Sequence, residues 1–266
     1  MAKTFIIAMN TFKESIRDKI LYNLGAMALV LVVFSIVLGD WSVFDREHVV
    51  KSFSLSVLAF SGVLLAIFVG IGLVQKEIQK KTVLTLLAKP LSRSHFILGK
   101  FFGLSMILTI HFLITSSVLF FILWVGDANP DLALLQAIVL LWVELLIIIA
   151  VAILFSTFTT PTLAALFTFG VYLAGNLSGE ILKQVEGMLN RGEIAQDGLT
   201  GVLYIWISKI IYFVFPNLEQ YNITGAILHG GMIDSFIFFK LIGFAIAYIV
   251  AFLSISIWWF DRKDFI

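Results

Sequence analysis

Apolar residues in this chain gather in long unbroken runs, not in alternation or in narrow stripes. That pattern predicts membrane-spanning helices. Six runs approach or exceed the length of roughly 20 residues that a bilayer crossing needs: Ile20 to Leu38, Phe53 to Val74, Phe101 to Val125, Leu132 to Ser156, Pro161 to Leu182 and Phe236 to Phe260. In hydrocarbon only helices or closed barrels satisfy every backbone donor and acceptor. Runs without in-out alternation select helices over a barrel. The predicted fold is an all-α polytopic membrane protein, a single transmembrane domain over residues 1–266 with six transmembrane helices.

Two segments outside the runs carry a pattern of their own. In residues 1–19, Phe5, Ile6, Met9, Phe12 and Ile16 recur at helical spacing, with Lys13, Glu14, Arg17 and Asp18 elsewhere on the wheel. This predicts an amphipathic helix lying in the membrane interface; the alternative is a frayed polar tail. The segment lacks the apolar core and small-residue cleavage site of a signal peptide. Within the outer stretch 183–235, Leu199 to Pro216 is too apolar for water yet short and interrupted by Lys209. Tyr204, Trp206 and Tyr212 supply interfacial aromatics. A re-entrant or interfacial segment before the last span is expected, with a seventh span as the alternative.

Composition sharpens this picture. The chain is 60% hydrophobic and 13% charged, against about 45–50% and about 25% for ordinary soluble domains. That excludes a disordered chain and a soluble enzyme with one buried core. The net charge of +1 offers no global field for nucleic acid. The absence of cysteine excludes disulfides and thiolate sites. The few charges are unevenly placed. Twelve of the 18 basic residues fall in the first segment, between spans two and three, and after span six. The positive-inside rule then puts both termini in the cytoplasm of a cell membrane. The acidic connections Asp40 to Glu47 and Asp127 to Asp131 fall outside.

The connection between spans two and three, Gln75 to Lys100, reads QKEIQKKTVLTLLAKPLSRSHFILGK. Thr82 can cap a short helix, its body holds good helix formers in Leu84, Leu86 and Leu87, and Pro90 ends it. Four apolar side chains among lysines need covering. The cover is either the bilayer surface, with lysines on anionic headgroups, or a cytoplasmic protein docked there.

This segment resembles the cytoplasmic segment of type-2 ATP-binding-cassette (ABC) exporter permeases. The likeness rests on Glu77, Thr82, Leu84 to Leu87, Pro90, Arg93, Gly99 and Lys100. It extends to LFSTFTTPTLAALFTFGVYLAG at the junction of spans four and five, and to FPNLEQYNI at Phe215 to Ile223. Within that family the nearest likeness is to permeases associated with copper-enzyme maturation. The resemblance implies a membrane path formed by a pair of permease copies. It also implies a separate cytoplasmic ATPase dimer, with its ATP and Mg, docked on a coupling helix built from Glu77, Thr82, Leu84, Leu86, Leu87, Pro90, Arg93 and Lys100. In agreement, no Gly-x-x-x-x-Gly-Lys-Ser/Thr phosphate loop occurs in the sequence, so no cofactor is expected in this chain.

Polar residues inside the runs are the remaining candidates. Glu144 lies mid-way along the fourth run, where a carboxylate costs a few kcal/mol and should find a partner or a proton. It reads either as a substrate or conformational switch group or as a hydrogen-bonded packing residue. His111 in the third run is a possible partner, or a buried histidine bonded to a hydroxyl. Asn176 and Glu180 near the end of the fifth run either line an outer cavity or mark the helix leaving the bilayer. Gly62, Ala66 and Gly70, and Gly99 with Gly103, are spaced for close helix packing. The four histidines show no metal-ligand spacing, and a His-Glu-x-x-His motif is absent. The alternatives to a transport subunit are a membrane assembly factor without transport activity, or an intramembrane enzyme using Glu144 or His111.

Overall fold

The computed structural model of the chain describes residues 2–42, 45–79, 93–126, 131–191, 199–225 and 231–262. The elements in order are α1 (Ala2–Ile16), α2 (Lys19–Trp41), α3 (Arg46–Gln79), α4 (Arg93–Val125), α5 (Leu132–Phe158), α6 (Pro161–Asn190), α7 (Leu199–Val214), a 3-10 turn (Glu219–Tyr221) and α8 (Ser235–Asp261). No strand occurs among the described residues. Helices α2, α3, α4, α5, α6 and α8 are each long and apolar enough to cross a membrane. The all-α polytopic bundle expected from the pattern is the fold.

Local chemistry sets where the helices begin. Asp18 precedes α2 and its carboxylate accepts from the Ile20 N–H at 3.0 Å. Asp234 does the same for α8 through the Phe236 N–H at 3.4 Å. Pro161 opens α6, where its missing donor leaves nothing unsatisfied. The helices flanking the connection between spans two and three run further than the apolar pattern: α3 continues to Gln79 and α4 already begins at Arg93. Polarity ended the apolar runs at 74 and 101, but no breaker lies between 75 and 79, and a lone glycine at 99 is tolerated inside a packed helix. The connection between the two helices is therefore 80–92, which lies outside the described residues.

Helix α5 is the axis of the bundle. It packs against α3, α4, α6 and α8, and 78% of its most apolar window is buried, against 17% for α2 and for α8. The outer faces of α2 and α8 carry exposed Val30, Phe34, Phe239 and Ile246. In a bilayer such faces meet lipid tails as apolar as themselves. On the buried side, a Cβ placed on Gly62 of α3 would overlap Leu145 of α5, and one on Gly70 would touch Ala152 at 3.7 Å. The small-residue stripe of α3 is thus a helix-packing face.

Helix α1 lies along the start of α4. Its buried side is small and hydroxylic, Ala8, Thr11 and Ser15, while Phe5 and Ile6 point outward. The close approach depends on bare backbone: a Cβ on Gly103 would stand 2.7 Å from the Ala8 carbonyl oxygen, and one on Gly99 2.6 Å from Ile7 Cβ. The pairing brings α1, the two ends of the 80–92 connection and the end of α8 to one end of the bundle. The opposite end holds Asp40, Arg46, Lys51 and Asp131, with Arg46 Nε 3.0 Å from Asp40.

Helix α7 has 16 residues, about 24 Å of rise, short of the roughly 30 Å of hydrocarbon. It packs on α6, and the chain beyond it returns so that the Leu218 N–H donates to the Gly175 carbonyl at 3.1 Å. Gly175 lies 14 residues into α6, about 21 Å from its start. The chain after α7 therefore comes back against α6 at Gly175.

Candidate functional site

At the end that carries α1 and the 80–92 connection, the first turns of α4 grip the end of α8. Arg93 Nη1 donates to the Phe260 carbonyl at 2.6 Å and to the Asp261 carbonyl at 2.7 Å. These carbonyls belong to the last turn of α8, the end of a helix where a cation is favoured. One turn on, Phe96 stacks on Phe260 with centroids 5.6 Å apart and planes 11° from parallel. Lys100 is 1% exposed, with its ammonium 5.8 Å from the Phe96 ring centre. Of the coupling residues expected from sequence, Arg93 and Lys100 thus meet at one packed junction. Glu77 lies on α3, and Thr82, Leu84, Leu86, Leu87 and Pro90 lie outside the described residues.

Half-way along the bundle the polar candidates take separate partners. Glu144 on α5 is 2% exposed, and Asn176 Nδ2 on α6 donates to its Oε1 at 2.9 Å. The same amide donates to the Tyr172 carbonyl one turn back, at 3.1 Å, which fixes which way the Asn176 oxygen points. Asn176 therefore serves the interior of the bundle. Glu180, one turn further, is exposed. His111 on α4 is 6% exposed, and its Nε2 lies 2.9 Å from Ser61 Oγ on α3. Two hydrogen bonds thus tie α5 to α6 and α3 to α4, and neither joins Glu144 to His111.

At the opposite end the return segment hooks onto α6. A Cβ on Gly175 would lie 2.7 Å from the Pro216 carbonyl, and one on Gly179 would overlap the Glu219 carboxylate. Lys183 Nζ then pairs with Glu219 Oε1 at 2.8 Å. Residues 175, 179 and 183 are successive turns of one face, so α6 presents a backbone acceptor, a bare patch and a cation in line. From the hook, Tyr221 Oη donates to the Leu241 carbonyl of α8 at 3.0 Å. Gln136 of α5 holds Ile233, two residues before α8: its amide donates to the Ile233 carbonyl at 3.3 Å, and its oxygen accepts from the Ile233 N–H at 3.2 Å.

Sequence reasoning missed Lys51, which counted only as an outer charge. It is 3% exposed and its ammonium sits between Glu47, one turn back, and Asp131 before α5, the latter at 2.7 Å. The Glu-x-x-x-Lys spacing was a signal for the first partner; the second needed the fold. Among the described residues no group of three or more His, Asp and Glu is arranged to hold a metal ion.

Two comparisons bear on identity. The sequence model of one family, described as "ABC-2 family transporter protein", matches residues 5–265, nearly the whole chain. A comparison with curated proteins found no match.

Proposed function

The chain belongs to the ABC-2 transporter family and is the multi-pass permease subunit of an ABC transporter, and we propose that it couples ATP hydrolysis in a separate cytoplasmic ATPase to export of its substrate. The ATPase docks on the connection between α3 and α4, with Thr82, Leu84, Leu86, Leu87 and Pro90 forming the contact helix and Glu77, Arg93 and Lys100 its flanks. ATP and Mg are held by the ATPase, because this sequence has no phosphate loop. Two permease copies and an ATPase dimer make the working unit, in a cell membrane with both termini cytoplasmic.

The observation that carries this reading is the gathering of basic segments at one end of the bundle. Helix α1 packs on Gly99 and Gly103, α3 and α4 bracket 80–92, and Arg93 holds the last turn of α8. The described parts of three segments separated in sequence, α1, the end of α3 with the start of α4, and the end of α8, therefore share one end. The apolar Val83 to Leu87 run of the connection, flanked in sequence by Lys80, Lys81 and Lys89, has the composition of a buried protein contact rimmed by charge.

Leu86→Asp tests it. The substitution places a carboxylate in an apolar contact and should abolish copurification with the partner ABC ATPase, while membrane insertion and thermal stability stay unchanged. Retained copurification would remove the docking role from this segment.

A further inference from the structure

The junctions at the two ends of the bundle are joined by one helix. α8 has 27 residues, about 40 Å of rise. Its buried side chains, Leu241, Ala245, Leu253, Ser256 and Phe260, form a single stripe, and it packs mainly on α5. A helix held along one stripe is free to swing across its neighbour in the small shear motions that packed helices make. Three side-chain contacts mark its length. Gln136 fixes Ile233 before the first turn, Tyr221 bonds the Leu241 carbonyl in the second, and Arg93 grips the carbonyls of Phe260 and Asp261 in the last.

We propose that α8 is a lever that carries movement of the α3–α4 connection to the hook at the opposite end of the bundle. Gln136 is its fulcrum, Arg93 the positioning residue at its driven end, and Tyr221 the link at its output. This rests on the reading of 80–92 as the ATPase docking segment. Arg93 opens α4, so a displacement of the start of that helix reaches α8 through two short charge-assisted hydrogen bonds and, at Phe96, one ring stack. Leu241 is 8 residues from Ile233, about 12 Å along the helix, and Phe260 is 27 residues away, about 40 Å. A sideways shift of about 3 Å at Phe260 thus becomes about 1 Å at Leu241. One ångström is enough to break the 3.0 Å bond from Tyr221. The hook would then lose its bond to α8 and keep those to α6, through Leu218 on Gly175 and Glu219 on Lys183.

The cysteine-free sequence allows a direct test. Spin labels on Gln220→Cys in the hook and Leu132→Cys at the start of α5, both exposed positions, report their separation in the reconstituted permease–ATPase complex, without nucleotide and with ATP and Mg. In the parent the distance distribution shifts with nucleotide. In Tyr221→Phe, ATPase binding and hydrolysis stay within about twofold of the parent, and the shifted population falls at least fivefold, as the loss of a hydrogen-bond link of this kind predicts. Tyr221→Phe keeps the ring and its packing, so the loss reads the hydrogen bond alone. A full nucleotide-dependent shift in Tyr221→Phe, or none in the parent complex, overturns the lever. Failure of the parent to bind the ATPase at all overturns the docking reading itself, a different and recognisable result.

Discussion

Lys51 offers the sharpest quantitative test of the packing at the end of the bundle opposite α1. Its side chain is 4% exposed, while those of its partners Glu47 and Asp131 are 34% and 48% exposed. Removing one side of a buried ion pair costs about 3–5 kcal/mol because the other charge is left unpaired out of water; an exposed pair contributes only about 0–1 kcal/mol. The burial here is lopsided, so the cost should be too. Lys51→Met leaves two carboxylates that water can reach, and the loss should be about 1–2 kcal/mol, between the two limits. Glu47→Gln combined with Asp131→Asn leaves the ammonium buried among neutral groups, and the loss should be near 3 kcal/mol, at the buried limit. The triple variant should recover part of that loss, since no charge remains to be buried. Equilibrium unfolding in mixed micelles, followed by the fluorescence of the six tryptophans, measures all three against the parent. Equal losses, or a triple variant whose loss is the sum of the other two, would falsify the argument, because independent sites add and coupled ones do not.

Further outcomes follow from the interior contacts. Glu144→Gln keeps an oxygen for Asn176 but removes the acid; assembly with the ATPase should be unchanged and transport reduced, whereas unchanged transport assigns Glu144 to packing. Asn176→Leu takes away the carboxyl group's donor and should destabilise the parent by about 1–3 kcal/mol, and by less in a Glu144→Gln background, as a double-mutant cycle in the same unfolding assay reads directly. Gly103→Leu adds a side chain at a position where even a Cβ would stand 2.7 Å from the Ala8 carbonyl oxygen, so α1 should lift from α4; a spin label on Phe5→Cys that keeps its parent mobility in that variant contradicts the contact.

Much of this molecule is written in its local pattern. Length and apolarity alone specify six membrane helices, since a segment of that composition has no other way to satisfy its backbone in lipid. The same reasoning singles out a lysine-flanked apolar connection and a short apolar segment before the last span. Individual side chains such as Glu144 and His111 stand out because a polar group in an apolar run costs energy wherever the run packs. Their partners do not stand out. Ser61 is one of many serines, and Asn176 sits where a helix could equally be leaving the bilayer, so pairing had to wait for the rotation and depth of each helix. Lys51 was hidden by the same limit: in sequence it is an outer loop charge, and only the approach of α3 to the start of α5 encloses it. The clamp of Arg93 on α8 spans 167 residues of sequence. Sequence by itself therefore determined the solvent, the number of crossings and the uneven placement of charge, because each follows from transfer of single segments between water and lipid. Tertiary structure decided who meets whom, because a hydrogen bond between helices depends on a few ångströms of depth and rotation that no single segment encodes.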